Sequence, residues 1–427
     1  MSKTKTTPLY VGLFLIGILG LSCLSTSVFT LQNDTLAQQY IPTIKYRNLV
    51  IDLGNGVKTK AQLTYPAIGK GPFPGVLLIH GSGANDKNET LGYVHKGGPK
   101  PTTPFWQIAQ YLSERGFAVL RYDKRGIGAN YTIDQNVWGN ATVNDLIHDA
   151  EKALNVLTMQ PEVDAKRISL IGHSEGTAIV PRVAIDNPTK VKNIILMGTV
   201  AQNLIRDILR YQVVDLNSEY ARQVLDKNHT GQISIQQIPN DPLLGPYLVS
   251  SSLLDTNNTK AIINNLFDKF GTGHVSIQKQ IRPALIKYYE NESAFSTSKC
   301  NSVRGCPVWF RSESGLTPTL GIIGNISKST GILLLNGEND SATPVQQTFL
   351  LQQRLTEVNH PNHMLITYPN LGHFFYPSPQ WFAESGPIEP YVLADLYAWL
   401  ESHSGFTTPA AAAAHVTSTP SSNSTAK

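Results

Sequence analysis

A serine, an aspartate and a histidine, each following an apolar run and met in that order along a chain of 427 residues, are the side chains best placed to do chemistry. Ser174 is the centre of Gly172-His173-Ser174-Glu175-Gly176, between a strand-like run at 167–171 and a helix-like run at 177–185. A turn that sharp forces a strained backbone on the serine, and side chains at Gly172 and Gly176 would meet neighbouring backbone. A serine hydroxyl attacks a carbonyl only when a base removes its proton and donors hold the resulting oxyanion. His373, in the loop after the apolar run 363–368, is the expected base; Asp340, after the run 331–336, is the expected orienting acid. His80-Gly81-Ser82-Gly83 follows a third buried-strand pattern at 75–79 and can aim backbone N–H groups at a carbonyl oxygen. Ser82 N–H and Glu175 N–H are the expected oxyanion donors.

Each assignment has a rival. Glu338 stands two residues before Asp340 in the same loop, where either carboxylate could serve or be a solvated turn residue. His360 and His363 precede the last strand-like run and are read as surface residues. His80, before a tight Gly81/Gly83 turn, is read as structural, holding the loop through its backbone. Arg121, Asp123 and Arg125 are expected to form an ion-paired brace. Asp86 and Glu89 could bind a substrate amine but are more simply solvated loop carboxylates. No Cys/His/Asp/Glu cluster has metal spacing and no glycine loop leads into Lys-Ser or Lys-Thr, so neither a metal nor another cofactor is expected.

The order Ser, Asp, His, the GHSEG turn and the HGSG loop resemble the α/β-hydrolase superfamily of esterases and serine peptidases over residues 46–200 and 330–404. The similarity is greatest to prokaryotic members whose oxyanion loop begins HGSG and continues with Asp and Glu, here Asp86 and Glu89. Further matches are the run from Arg121 to Gly128 after the fourth strand and Pro161-Glu162-Val163-Asp164 before the nucleophile strand. Two positions depart from the pattern: Ala84 replaces a proline, and Thr177 replaces a glycine and narrows the space beside the nucleophile. The resemblance implies an α/β fold with a mostly parallel central sheet flanked by helices. It also places an insertion after the sixth strand, where residues 201–330 leave the hydrolase pattern for amphipathic pieces at 203–215, 220–227, 260–270 and 281–289 and read as a helical cap.

The remaining segments concern location. Lys3 and Lys5 precede an apolar stretch from Leu9 to Leu24, and small residues at Thr35 and Ala37 could border a cleavage site, so residues 1–37 read as a secretory signal or a membrane anchor. The core is then expected at 38–200 and 331–404. Residues 405–427, rich in Ala, Ser, Thr and Pro, are expected to be a disordered tail. Of three cysteines, Cys300 and Cys306 enclose a short loop and are expected to be bridged in an oxidising compartment. A net charge of +4 without basic, aromatic-interleaved runs gives no support to nucleic-acid binding. Together these features point to an exported serine hydrolase acting on small to medium acyl esters. Short peptides are the alternative substrates, and a catalytically silent binding protein is the alternative outside enzymes.

Overall fold

The computed structural model describes residues 43–91, 101–128, 132–239, 241, 243–248, 271–293, 306–379 and 384–405. The expected signal or anchor at 1–37, the helix at 260–270, Cys300 and the tail beyond residue 405 lie outside the described residues.

The chain enters through a hairpin, β1 (Ile44–Gly54) and β2 (Val57–Pro66). Its turn is Asn55-Gly56 with φ of +53° and +77°, the left-handed conformation that tight hairpins take and that this pair tolerates. The strands β3 (Phe73–Ile79), β4 (Ala118–Tyr122), β5 (Val163–His173) and β6 (Val191–Met197) follow. After a long insertion containing the small ribbon β7 (Gln232–Ser234) and β8 (His274–Ser276), the main sheet is completed by β9 (Gly331–Gly337) and β10 (His363–Tyr368). The order is β1-β2-β4-β3-β5-β6-β9-β10, antiparallel across β1/β2/β4 and parallel thereafter.

Every residue of β3, β4 and β9 is buried, as expected of strands covered on both faces. One covering layer contains α2 (Val143–Thr158), α3 (Gly176–Asp186) and α6 (Gln346–Glu357), whose Leu146, Ile179 and Leu351 pack with Leu77, Leu170 and Leu334. The other contains α1 (Pro104–Ser113) and α7 (Pro390–His403), whose Phe105, Leu112, Leu396 and Trp399 pack with Val76, Ile171 and Leu335. The strand direction therefore alternates side chains between two cores while all carboxyl ends from β3 to β10 point to one edge. In open α/β sheets that edge is where ligands bind.

The insertion between β6 and β9 is mainly helical and carries its own apolar cluster, including Val214, Ile233, Ile281 and Leu285. Its first helical stretch runs without a break over 204–225, most of it in wide π-helical turns, so the two separate pieces expected at 203–215 and 220–227 are one element. The β7/β8 ribbon had no counterpart in the sequence reading. The insertion's two longest further helices are α4 (Arg282–Ser293) and α5 (Pro307–Gly315), among shorter helical turns. Cys306, buried at the start of α5, is disulfide-bonded. The expected partner, Cys300, lies outside the described residues. Among the described residues no helix is long and apolar enough to cross a membrane.

Candidate active site

Ser174 sits where β5 turns into α3, with φ at +53°, a conformation costly for any residue except glycine. The flanking glycines make that turn sterically feasible. A Cβ on Gly172 would lie 2.4 Å from the Gly176 carbonyl oxygen, and one on Gly176 would lie 2.2 Å from the carbonyl oxygen of Ile79. The turn is tied down by Ser174 N–H donating to Met197 O at 2.9 Å and by Thr177 N–H donating to Ser174 O at 2.8 Å. Thr177 does not simply crowd the nucleophile: its hydroxyl donates to Ser174 O at 2.6 Å and accepts from Val200 N–H at 2.8 Å, joining the elbow to the end of β6.

Hydrogen bonds that continue past the strand ends bring Asp340 and His373 to this turn. Gly198 N–H donates to Leu335 O, Thr199 N–H to Asn336 Oδ1, and Asn339 N–H to Leu371 O. His373 Nδ1 then lies 2.8 Å from Asp340 Oδ2. The other carboxylate oxygen, Oδ1, accepts the N–H groups of Ala342 and Thr343, both at 2.8 Å, and the Thr343 hydroxyl donates to Oδ2 at 2.9 Å. A carboxylate so committed can only accept from the ring, so Nδ1 carries the proton and Nε2 is the basic nitrogen. Gly198 is pressed against the imidazole: a Cβ there would be 3.0 Å from its Cε1 and Nδ1. Glu338, by contrast, is exposed and accepts from Thr367 Oγ1 at 2.8 Å.

The HGSG loop meets Ser174 from the other side. A Cβ on Gly81 would be 2.9 Å from Ser174 Cβ, so only glycine allows the loop this close to Ser174. Gly83, at φ of +97°, makes the following bend, and Asn85 Nδ2 donates to the carbonyls of Gly81 and Ser82. Ser82 and Glu175 are both buried beside Ser174, and Glu175 stands at the N-cap position of α3 without a side-chain capping bond, where the helix dipole favours its negative charge. His80 is stacked on Phe105 with ring centroids 5.1 Å apart and meets Tyr122 edge-on; burial pulls its pKa down to about 3, keeping it neutral. Packing, with the Asp86 backbone alongside, fixes this ring rather than a hydrogen-bonded hold on the loop alone.

Several charged residues lie elsewhere than expected. Glu89 is neither solvated nor open to a substrate amine: it is 2 % exposed, accepts from Gly81 N–H at 2.7 Å and faces His173 Nδ1 at 3.1 Å. The other ring nitrogen, His173 Nε2, is 3.1 Å from the carbonyl oxygen of His373. Both neighbours are acceptors, so the His173 ring donates from both nitrogens and is the cationic form. Burial opposes that charge, but the Glu89 carboxylate outweighs it and raises the His173 pKa, while Glu89 itself is lowered against its own burial by His173. Asp86 is a loop brace, accepting from Asn88 N–H, Thr90 N–H and the Thr90 hydroxyl.

The expected charged brace is divided among different partners. Arg125 pairs with Asp145 and Asp149, and Asp123 accepts from Lys87 N–H. Arg121 is completely buried over the Trp106 ring and donates to Asn88 and Gln62, with burial lowering its pKa to about 9. His360 is also not a surface residue; it is buried with Nε2 3.2 Å from Ser327 O, and neither it nor the half-buried His363 joins the site.

Two features of the site had no sequence signal. Glu384 accepts the N–H groups of His373, Phe374 and Tyr376, cradling the histidine loop, and burial pushes its pKa up to about 7. Its carboxylate approaches because residue 372 is glycine, where a Cβ would meet it at 2.6 Å. Lys124, fully buried, pairs with Glu175 at 2.8 Å. Among the described residues no His/Cys/Asp/Glu group could hold a metal ion.

A stability prediction follows from the His173–Glu89 pair. A raised histidine contributes stability that is complete below its ordinary 6.5 and lost as pH rises through its folded value; a lowered glutamate contributes stability complete above 4.5 and lost as pH falls through its folded value. The pair should therefore be strongest between pH 4.5 and 6.5. Glu89→Gln is expected to cost about 3–5 kcal/mol within that window and to flatten the alkaline limb, as read by thermal melts across pH. Melts that run parallel to wild type at all pH values would show that the pair is not charged.

A family model described as serine aminopeptidase, S33, matches residues 95–241, which include Ser174, and a second, described as prolyl oligopeptidase family, matches residues 320–407, which include Asp340 and His373. The sheet order, the elbow after β5 and these matches agree. The chain has the α/β-hydrolase fold. Among curated proteins, it is 33% identical over 194 residues to Esterase EstD of Thermotoga maritima, covering 44% of this chain and 41% of the relative. It is 24% identical over 170 residues to Esterase FrsA of Yersinia pestis, covering 40% and 35%. The chain thus spans about two fifths of the length of the curated relatives it matches. A solved structure of a hypothetical protein from Pseudomonas aeruginosa aligns with 88% of this chain and 100% of its own, with a TM-score of 0.49 and 15% identity.

Proposed function

We propose that this α/β-hydrolase cleaves carboxylic esters of small to medium acyl groups through an acyl-enzyme. The observation that carries the reading is a buried His373–Asp340 pair delivered to a serine held at positive φ. In the proposed mechanism, Ser174 Oγ attacks the ester carbonyl while His373 Nε2 takes its proton, and Asp340 holds the imidazole in the required tautomer. The carbonyl π electrons move to oxygen, where the N–H groups of Ser82 and Glu175 receive them. Collapse expels the alkoxide with the proton returned by His373, and water then repeats the sequence on the acyl-enzyme. The names of the esterases matched above favour ester substrates.

Short peptides are the second reading, favoured by the two peptidase descriptions of the matching families. A panel of p-nitrophenyl esters against aminoacyl-nitroanilides separates the two. We expect turnover of the esters, higher for acetyl and butyryl than for long acyl chains, and stoichiometric labelling by a fluorophosphonate. Preference for the anilides would assign a peptidase, and absence of labelling would favour a silent binding protein. Export belongs to the same proposal: the basic, then apolar N-terminal sequence and a disulfide-bonded Cys306 both suit an oxidising compartment, with the N-terminal segment as signal or anchor.

A further inference from the structure

The side chain of Lys124 reaches both loops assigned to the oxyanion. It follows β4 and is 3 % exposed, with its own N–H donating to Asn85 O in the HGSG loop. Its ammonium donates to the carbonyl oxygen of Gly81 and to Glu175 Oε2, and lies 5.8 Å from the centre of the Trp138 ring. Gly81 immediately precedes Ser82, whose N–H is one proposed donor; Glu175 supplies the other. An ammonium offers three donors and no acceptor, and two of them are committed to these oxygens.

Glu175 is in turn fixed from the insertion. Trp309 Nε1, on α5, donates to Glu175 Oε1 at 2.5 Å. Glu313, one turn further along α5, is buried, and its burial together with the charge of Glu175 raises its pKa well above the ordinary range. The Glu175 carboxylate is held by the ammonium of Lys124 and the indole of Trp309.

We propose that Lys124 is a positioning residue for the oxyanion hole: by clamping the Gly81 carbonyl to the Glu175 carboxylate, it sets the separation of the Ser82 and Glu175 N–H groups. The inference rests on the serine-hydrolase reading given above. Misplacing donors acts on the transition state, where charge has moved onto oxygen, and hardly at all on the neutral ester, so the effect belongs in kcat.

The test uses Lys124→Met, which keeps the stem and removes the donors, together with Lys124→Met/Glu175→Gln, which leaves no unpaired buried carboxylate if the single variant fails to fold. The substrate is p-nitrophenyl acetate, active sites are counted by fluorophosphonate titration, and a trifluoromethyl ketone probes the oxyanion. Ser174 Oγ adds to the ketone carbon, its proton passes to His373 and the carbonyl electrons go to oxygen, so ketone affinity reports the hole itself. Expected in both variants is a fall in kcat per titrated site of about 10- to 100-fold, below the loss of an entire donor. KM should stay within about two-fold, and ketone affinity should weaken by the same factor as kcat. Unchanged kcat and ketone affinity per titrated site, even with a lowered melting temperature or fewer titratable sites, would make Lys124 merely structural. Wild-type kcat in the double variant alone would reduce its role to charge balance and equally overturn the proposal. A wild-type protein that labels no serine and turns over no ester would overturn the hydrolase reading and this proposal with it.

Discussion

Ser174→Ala is expected to lower kcat by about 10⁴ to 10⁶ on any ester the wild type hydrolyses, with the fold retained. The size of the effect follows from the nucleophile's being the group on which the other parts converge. Without Oγ no acyl-enzyme forms, and the residual rate reflects only what binding and the oxyanion donors do for attack by water. The fold should survive because alanine keeps the Cβ that already fits between Gly81 and the β6 end, and because the positive φ is equally strained for serine and alanine. The hydrogen bonds that build the elbow run through the backbone of residue 174 and the Thr177 hydroxyl, none through Ser174 Oγ. Melting temperature and steady-state rates measured on one preparation check both halves. More than a tenth of wild-type activity in pure variant would remove Ser174 from the mechanism.

The strands and loops that carry Ser174, Asp340 and His373 were legible because each rests on a local pattern. Buried parallel strands are short apolar runs, and the turns after them need glycine for reasons that a Cβ makes plain at Gly172, Gly176 and Gly81. The charged residues around the site were misread because burial of a charge depends on partners far apart in sequence. Glu89 is an ordinary loop carboxylate until His173, 84 positions away, lies beside it. Lys124 is part of a charged run until Glu175, 51 positions away, takes its ammonium. His360 was read as a surface residue because it precedes the last strand-like run, and its partner, the Ser327 carbonyl, comes from the approach to a different strand. In the insertion, amphipathic spacing located helical turns but not their continuity, since a wide turn shifts the apolar period that separates one helix from two.

These buried partners also bear on why the site can be stiff with its pieces on separate loops. Glu89 joins the HGSG loop to the elbow, His173 joins the elbow to the carbonyl of His373, and Glu384 holds three amides of the histidine loop. The insertion reaches the same region through Gln212, which donates to Ala342 O two residues beyond Asp340. A catalytic geometry must be held to a fraction of an ångström, and loops alone do not supply that. Here the buried side chains of Glu89, His173 and Glu384 connect the loops to one another.

Asp340→Asn is the second large effect expected, about 10⁴-fold in kcat with KM changed little. Asparagine retains the shape and one carbonyl oxygen, which can continue to accept from Ala342 N–H and Thr343 N–H. The amide NH₂ then faces His373 Nδ1, and two donors cannot share that contact. The imidazole must place its proton on Nε2 to relieve the clash, which removes the lone pair that takes the Ser174 proton. Stability should change little compared with that loss, because the carboxamide keeps the packing of a side chain fully buried against Gly198 and Thr343. Glu338→Gln is the paired control: an exposed carboxylate that accepts from Thr367 should be replaceable with kcat within about two-fold of wild type. Collapse of activity in Glu338→Gln together with an active Asp340→Asn would exchange the two assignments.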